Sequence, residues 1–423
     1  MAHAQANALP PEAATEASQP QEVRRRHVFY VPGFDPMGAR RYRELYRTHS
    51  ARQAEISGYE IAVSAAPKQA GNYAWSVSSE IEGQKTETIV EFLEWSDLVR
   101  QTMNRNTLHA LWTWAWTGTW FLWSGAVRAW ASLHRKILIP GLYPYLTILA
   151  QLLAGLLVGL AAGGLAAAFG LATPAVRAVA LVAGVAATAA ILRYFRKRDQ
   201  KHYIYYLLFM LAYAAVRAQK RPKMMLDRED AFARRIAEVL RTGEADEVLV
   251  VGHSAGGYVA VPIVAKLVRM PGLPLERLGL LTLAHVIPLT SFLKGAGDMR
   301  ADLNILSKTP EITWLDVSAP GDGGCFPLSD PVATCGAADD DQIWPKVISA
   351  AFSMTLSEEK QDPKTFTFFE RHFQYIYAFD YPREYDYFRI TAGPMTLRTR
   401  FAHRDSTTSR ITRVCTPYTD REQ

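Results

Sequence analysis

The chain has 423 residues, 49% of them hydrophobic and 21% charged, which is more than one ordinary domain uses and enough apolar material for a large core. Its net charge of +6 draws on clusters at Arg24-Arg25-Arg26, Arg135-Lys136, Arg196-Lys197-Arg198 and Lys220-Arg221-Pro222-Lys223. The middle two flank an apolar block, so the surplus reads as membrane flanks rather than a nucleic-acid groove. Three cysteines, Cys325, Cys335 and Cys415, show no Cys-x-x-Cys or Cys/His spacing, which points to reduced thiols and away from a disulfide framework or a metal site.

In chain order, residues 1–25 are rich in Ala, Pro, Gln and Glu and lack the positive start and apolar stretch of a signal peptide; a disordered tail is expected. Residues 26–104 form the first part of an α/β domain. "HVFYVPGFDP" (His27–Pro36) reads as a buried strand ending in a Pro-Gly turn, and Gly38–Gln53 has helical periodicity. "YEIAVSAAP" and "TIVEFLEWSD" (Thr88–Asp97) alternate like strands.

Residues 105–225 read as a membrane insertion. From Leu142 to Leu192 the only charge is Arg177, and a pattern break at Ala172-Thr173-Pro174 divides the block into Leu142–Leu171 and Ala175–Leu192. The first half is long enough to span a bilayer with tilt, and the second is close to the minimum length. Gly155, Gly159, Gly163 and Gly164 supply small-residue spacings for close helix approach. The competing reading, a buried core hairpin, is disfavoured because soluble helices of this length need a polar face. Basic flanks on both outer ends put both ends in the cytoplasm and the Thr173-Pro174 turn outside. Leu111–Trp130 holds six of the ten tryptophans and is expected to lie in the interface or insert shallowly. His202–Arg221 is expected to do the same. Core helices are the alternative for both.

Residues 226–405 resume the α/β domain, and 406–423 form a tail. Asp227–Gly243 reads as a helix with Gly243 past its end. "VLVVGHSAGGYVAV" (Val248–Val261) is a β-branched run meeting a Gly-x-Ser-x-Gly turn, with a helix following from about Gly257 to Arg269. "RLGLLTLAHVIPL" and "EITWLDVSAP" supply two more strands. Strands alternating with helices imply a mostly parallel sheet with helices on both faces.

A bare Gly-x-Ser-x-Gly is a weak motif, but between a buried strand and a helix it has the context of a nucleophile elbow. Gly252 and Gly256 lack the Cβ atoms that would collide in so sharp a turn, and Ser254 is lifted above the sheet edge. A plain strand–helix turn is the competing reading; a phosphate loop lacks its Lys-Ser/Thr ending. On these residues, above all "VVGHSAGG", the chain resembles the α/β-hydrolase superfamily, in particular its lipase/esterase-like serine hydrolases. The resemblance covers about 300 residues outside the insertion and the tails. Two departures stand out: the oxyanion loop reads Pro32-Gly33-Phe34 where many lipases have His-Gly, and a membrane block interrupts the domain.

The resemblance implies the order Ser, acid, His. His372 in "FTFFERHFQYIYAF" and His403 in the polar tail are the histidines late enough, and His372 is preferred. His253 is expected to point away from Ser254, and His285 comes too early. The acid should follow the strand Ile312–Val317: Asp322 is the first choice, Asp330 the second and Asp316 the third. Ser254 would attack an acyl carbonyl, His372 would move the proton, and Asp322 would hold the imidazole; the Phe34 and Ala255 amides would bind the oxyanion. No metal or cofactor and no nucleic-acid partner is expected. The expected partners are the bilayer and an ester or acyl-lipid substrate, at the inner membrane with the catalytic domain in the cytoplasm. A thioesterase or acyltransferase using the same serine, or a non-catalytic membrane scaffold, are the alternatives.

Overall fold

The computed structural model describes residues 22–220, 222–362 and 364–422, so most of the tail expected at 1–25 lies outside the described residues. The chain is α/β. Its strands are β1 (Arg25–Val31), β2 (Glu60–Ala65), β3 (Tyr73–Ile81), β4 (Gln84–Phe92), β5 (Glu247–His253), β6 (Leu278–Leu283), β7 (Thr313–Ser318) and β8 (Lys346–Ser349). They form one sheet in the order β2-β3-β4-β1-β5-β6-β7-β8. The six strands from β4 to β8 pair in parallel, and β2 and β3 add an antiparallel edge. Every residue of β5, β6 and β7 is buried. These unbroken apolar runs are what a parallel sheet covered on both faces requires.

Each face carries its own core. On one, α1 (Ala39–Ser57) sets Tyr42 and Tyr46 against Val77, Phe92 and Phe388. On the other lie α9 (Lys223–Thr242), α10 (Gly256–Val268) and α12 (Gly297–Lys308), the last preceded by the short α11 (Pro288–Ser291). Gly243 closes α9 in the left-handed region, φ 67°, as a helix C-cap needs.

Between β4 and α9 the chain runs through α2 (Ser96–Met103), α3 (Thr107–Trp123), α4 (Ala126–Leu133), α5 (Leu138–Ala168), α6 (Thr173–Lys197), α7 (Asp199–His202) and α8 (Ile204–Lys220). Two stretches, Arg135–Ala168 and Thr173–Lys197, are long and apolar enough to cross a membrane. Only 28% and 6% of their most apolar windows are buried. The two helices pack along a glycine seam: a Cβ at Gly159 would sit 2.6 Å from the Ala180 carbonyl, and one at Gly163 2.8 Å from the Ala180 Cβ, whereas Gly164 faces open space.

Four expectations need correction. The expected strand Thr88–Asp97 is β4, which starts earlier and ends at Phe92; Ser96 already begins α2. β3 was not expected. It turns into β4 through Glu82-Gly83, both with positive φ (56° and 71°), the geometry of a two-residue hairpin turn. The hairpin break falls at 169–172, and Thr173-Pro174 starts α6, because proline suits a first helical turn, where its missing N–H leaves no bond unmade. The expected interfacial stretch His202–Arg221 instead yields a core helix: α8 buries Ile204, Leu208, Phe209 and Leu211 in the sheet-side core. Its one buried cation, Arg217, meets Glu229 at 3.1 Å and Asp298 at 2.7 Å. The tryptophan stretch is two helices broken at Ser124-Gly125; Leu108, Trp112, Leu122 and Trp123 on α3 stay exposed while Ala110, Thr113, Thr117 and Phe121 are buried.

Candidate active site

Ser254 sits between β5 and α10 with φ 57°, a left-handed conformation that costs a non-glycine residue on the order of 1–3 kcal/mol. The turn is locked from several sides. The Ser254 amide donates to the Leu283 carbonyl (2.8 Å), and the Ser254 carbonyl accepts from the Gly257 amide (3.0 Å). A Cβ at Gly256 would collide with the Val31 carbonyl, and one at Gly252 would lie 2.8 Å from the Gly256 carbonyl. Both glycines are therefore required by space.

His372 lies near the end of the helix Phe368–Phe373, whose start is set by a capping box between Thr367 and Glu370. Its Nε2 is 2.7 Å from Ser254 Oγ, and its Nδ1 is 2.8 Å from Asp322 Oδ2. A carboxylate only accepts, so Nδ1 carries the proton and Nε2 is left to accept from the serine hydroxyl. Asp322 is fully buried. Burial alone pushes its carboxyl up, but His372 and the Gly324 amide (2.8 Å) together hold it below the usual carboxylate range. The structure thus brings Ser254, His372 and Asp322 into one hydrogen-bonded chain.

The other candidates stand apart from it. Asp330 accepts from the Val332 and Ala333 amides (2.9 and 3.0 Å) and from Gln342 (2.9 Å), closing its own loop; burial raises its carboxyl. Asp316, inside β7, bonds to Thr282 Oγ1 at 2.5 Å and is raised well above its ordinary value by burial. His403 is exposed beyond the helix Leu397–Arg400. His285 is buried against Ser329 (3.2 Å to its carbonyl) and is lowered to about 4 by burial.

Facing the serine is the Pro32-Gly33-Phe34 loop; a Cβ at Gly33 would sit 3.2 Å from Ser254 Cβ and 3.5 Å from its Oγ. Three consecutive carbonyls of this loop are tied down: Pro32 by Trp95 Nε1 (2.9 Å), Gly33 by the Asp35 amide (2.8 Å) and Phe34 by the Tyr206 hydroxyl (2.7 Å). Among the described residues the Phe34 and Ala255 amides donate to no protein acceptor. Ala255 also caps the start of α10, where the helix dipole is positive.

No family model, curated protein or solved structure matches this chain.

Two neighbours of the site, Tyr375 and Tyr206, escaped the sequence reading, and His253, expected to point away from Ser254, packs against His372. Tyr375 accepts from the Ala319 amide (2.9 Å) and donates to Asp322 Oδ2 (3.2 Å). His253, lowered to about 3 by burial and then by His372, stays neutral; its Nε2–H donates to the His372 carbonyl (3.0 Å) while its ring stacks on that of His372. Tyr206 reaches the Phe34 carbonyl from α8. Only their aromatic setting was visible in sequence. The pocket over Ser254 and His372 is walled by Trp130, Ile137, Pro140, Tyr206 and Met210 from the segment between α2 and α9, closed by Phe369, and has a free volume of only about 40 Å³.

Proposed function

We propose that this chain is a membrane-embedded serine hydrolase of the α/β-hydrolase type that cleaves carboxylic esters of lipid or acyl character through an acyl-enzyme. The observation that carries the reading is the unbroken Ser254–His372–Asp322 chain hung on a positive-φ serine. Ser254 Oγ attacks the ester carbonyl as its proton passes to His372 Nε2. The tetrahedral oxyanion meets the Phe34 and Ala255 amides. Collapse expels the alcohol, which takes the proton from His372, and leaves the acyl group on Ser254. Water, deprotonated by the same nitrogen, then releases the acid and restores the serine. Asp322 holds the imidazole and stabilises its cationic form.

The substrate class is supported by the apolar pocket wall and by the exposure of α5 and α6, which in water would leave two long apolar surfaces uncovered. With Arg135-Lys136 before the hairpin and Arg196-Lys197-Arg198 at its end, both ends belong on the cytoplasmic side of the inner membrane. The detergent-solubilised full chain should label with a fluorophosphonate probe and hydrolyse a nitrophenyl ester, and Ser254→Ala should lose both while remaining folded. Hydrolysis at the wild-type rate by Ser254→Ala would sink the assignment. Absence of labelling in the wild type would favour the non-catalytic scaffold. Product analysis with a competing alcohol separates hydrolysis from acyl transfer.

A further inference from the structure

A groove of about 930 Å³ lies away from Ser254, along the open seam of α5 and α6 and beside the first turns of α3. Its walls are apolar: Leu108 and Leu111 from α3, Leu156 and Leu160 from α5, Leu181 and Val185 from α6. Its charged lining is confined to one end, where Arg193, Arg196 and Lys197 stand together, and among the described residues no acidic residue lines it. From Leu181 to Arg193 the helix rises about 18 Å, close to the hydrocarbon depth of one leaflet, about 15 Å.

The three cations have no ion-pair partner among the described residues. Arg196 donates to the Met103 carbonyl (3.3 Å) and to the Arg105 carbonyl, and stacks over Tyr205, yet its Nη1 has no hydrogen-bond partner. Asp199, whose charge Arg196 feels, has both carboxylate oxygens taken by the Tyr205 and Tyr206 amides (2.8 Å each). The charged end also meets the N-terminus of α3 at Thr107, where Asn106 satisfies only the His109 amide. A 17-residue helix start adds partial positive charge to the three side chains.

We propose that this groove binds an anionic phospholipid, one acyl chain along the α5–α6 seam and the phosphate among Arg193, Lys197 and the start of α3. The inference rests on the membrane reading above and adds a lipid site separate from the serine pocket. Charge complementarity selects the occupant: a zwitterionic lipid would fill the seam equally well but would bring no net charge to the cationic end.

Native mass spectrometry of the full chain in detergent tests it, with phosphatidylglycerol and phosphatidylcholine of identical acyl chains as probes. Phosphatidylglycerol should be retained at least about tenfold better, each cation near a lipid phosphate contributing severalfold. Arg193→Gln with Lys197→Gln should abolish that preference, and Leu160→Trp with Val185→Trp, which fill the seam, should abolish retention of both lipids. Equal retention of the two lipids, a preference unchanged in the double charge variant, competition by free glycerol phosphate, or a dimer that excludes lipid would each overturn the site. Salt-washed membranes separate the two levels. Release of the wild type by salt sinks the membrane reading and this site together, whereas retention through the wash without headgroup preference overturns the groove alone.

Discussion

Asp322 and Asp330 belong to one glycine- and proline-rich loop after β7 and face different tasks. Asp322 spends one oxygen on the Gly324 amide and the other on His372 and Tyr375, so its carboxylate is shared between loop and imidazole. Asp330 spends both oxygens on its own loop and Gln342. Asp322→Asn keeps an acceptor for Gly324 but presents an amide to Nδ1, which favours the wrong imidazole tautomer. Turnover of a soluble ester should fall by about 10⁴-fold, with the melting profile little changed. Asp330→Asn should leave turnover within severalfold of wild type and act on stability. Steady-state rates and thermal unfolding of the two variants decide this; a larger turnover loss at Asp330 would move the acid.

The helices and strands show why some of this was legible and some was not. β5 and its Gly-x-Ser-x-Gly turn could be read because strand, turn and helix are contiguous, and glycine spacing reports a local steric need. Chain order narrowed the base to His372 and His403 and the aromatic setting of His372 decided between them, while Asp322 followed from its distance past β7. β3 was missed because a Glu-Gly turn lacks the usual asparagine or aspartate signal, and its alternating Ser and Val residues look like loop. α8 was misassigned for a related reason: an aromatic, apolar segment with a basic end reads the same whether its partner is lipid or protein. Its contacts with Glu229 on the next helix and with Asp298, 81 residues on, have no local signature. Those contacts make a prediction. Arg217→Ala would remove the buried cation that pairs with both Glu229 and Asp298, a loss of about 3–5 kcal/mol. Detergent-solubilised protein should unfold at clearly lower temperature, and adding Glu229→Gln and Asp298→Asn should recover part of the loss. An unchanged melting point would mean that α8 is held by its apolar face alone.

For the whole molecule, the sheet constrains the topology more tightly than charge does. β1 pairs directly with β4 before the insertion and with β5 after it, so both halves of the domain lie on one side of any membrane and the number of crossings between them is even. α8 is buried in the core among α3, α5 and α11, and α3 buries one face beside it, so on the proposed membrane reading α5 and α6 are the crossing pair. On the proposed membrane reading, the basic residues at the outer ends of that pair are an independent argument for a domain on the cytoplasmic side. On the proposed membrane reading, the 169–172 turn is therefore the only part of the hairpin presented to the far side. A cysteine at Leu171 should react with a membrane-impermeant thiol reagent in intact cells. One at the exposed Glu358 should react only after lysis. Both are placed in a Cys415→Ser background, since Cys415 is partly exposed while Cys325 and Cys335 are buried. Labelling of both positions in intact cells would put the Ser254 pocket outside and reverse the assignment. Labelling of neither before lysis, with the chain released from membranes by salt, would return α5 and α6 to the solvent and remove the argument for a substrate drawn from the bilayer.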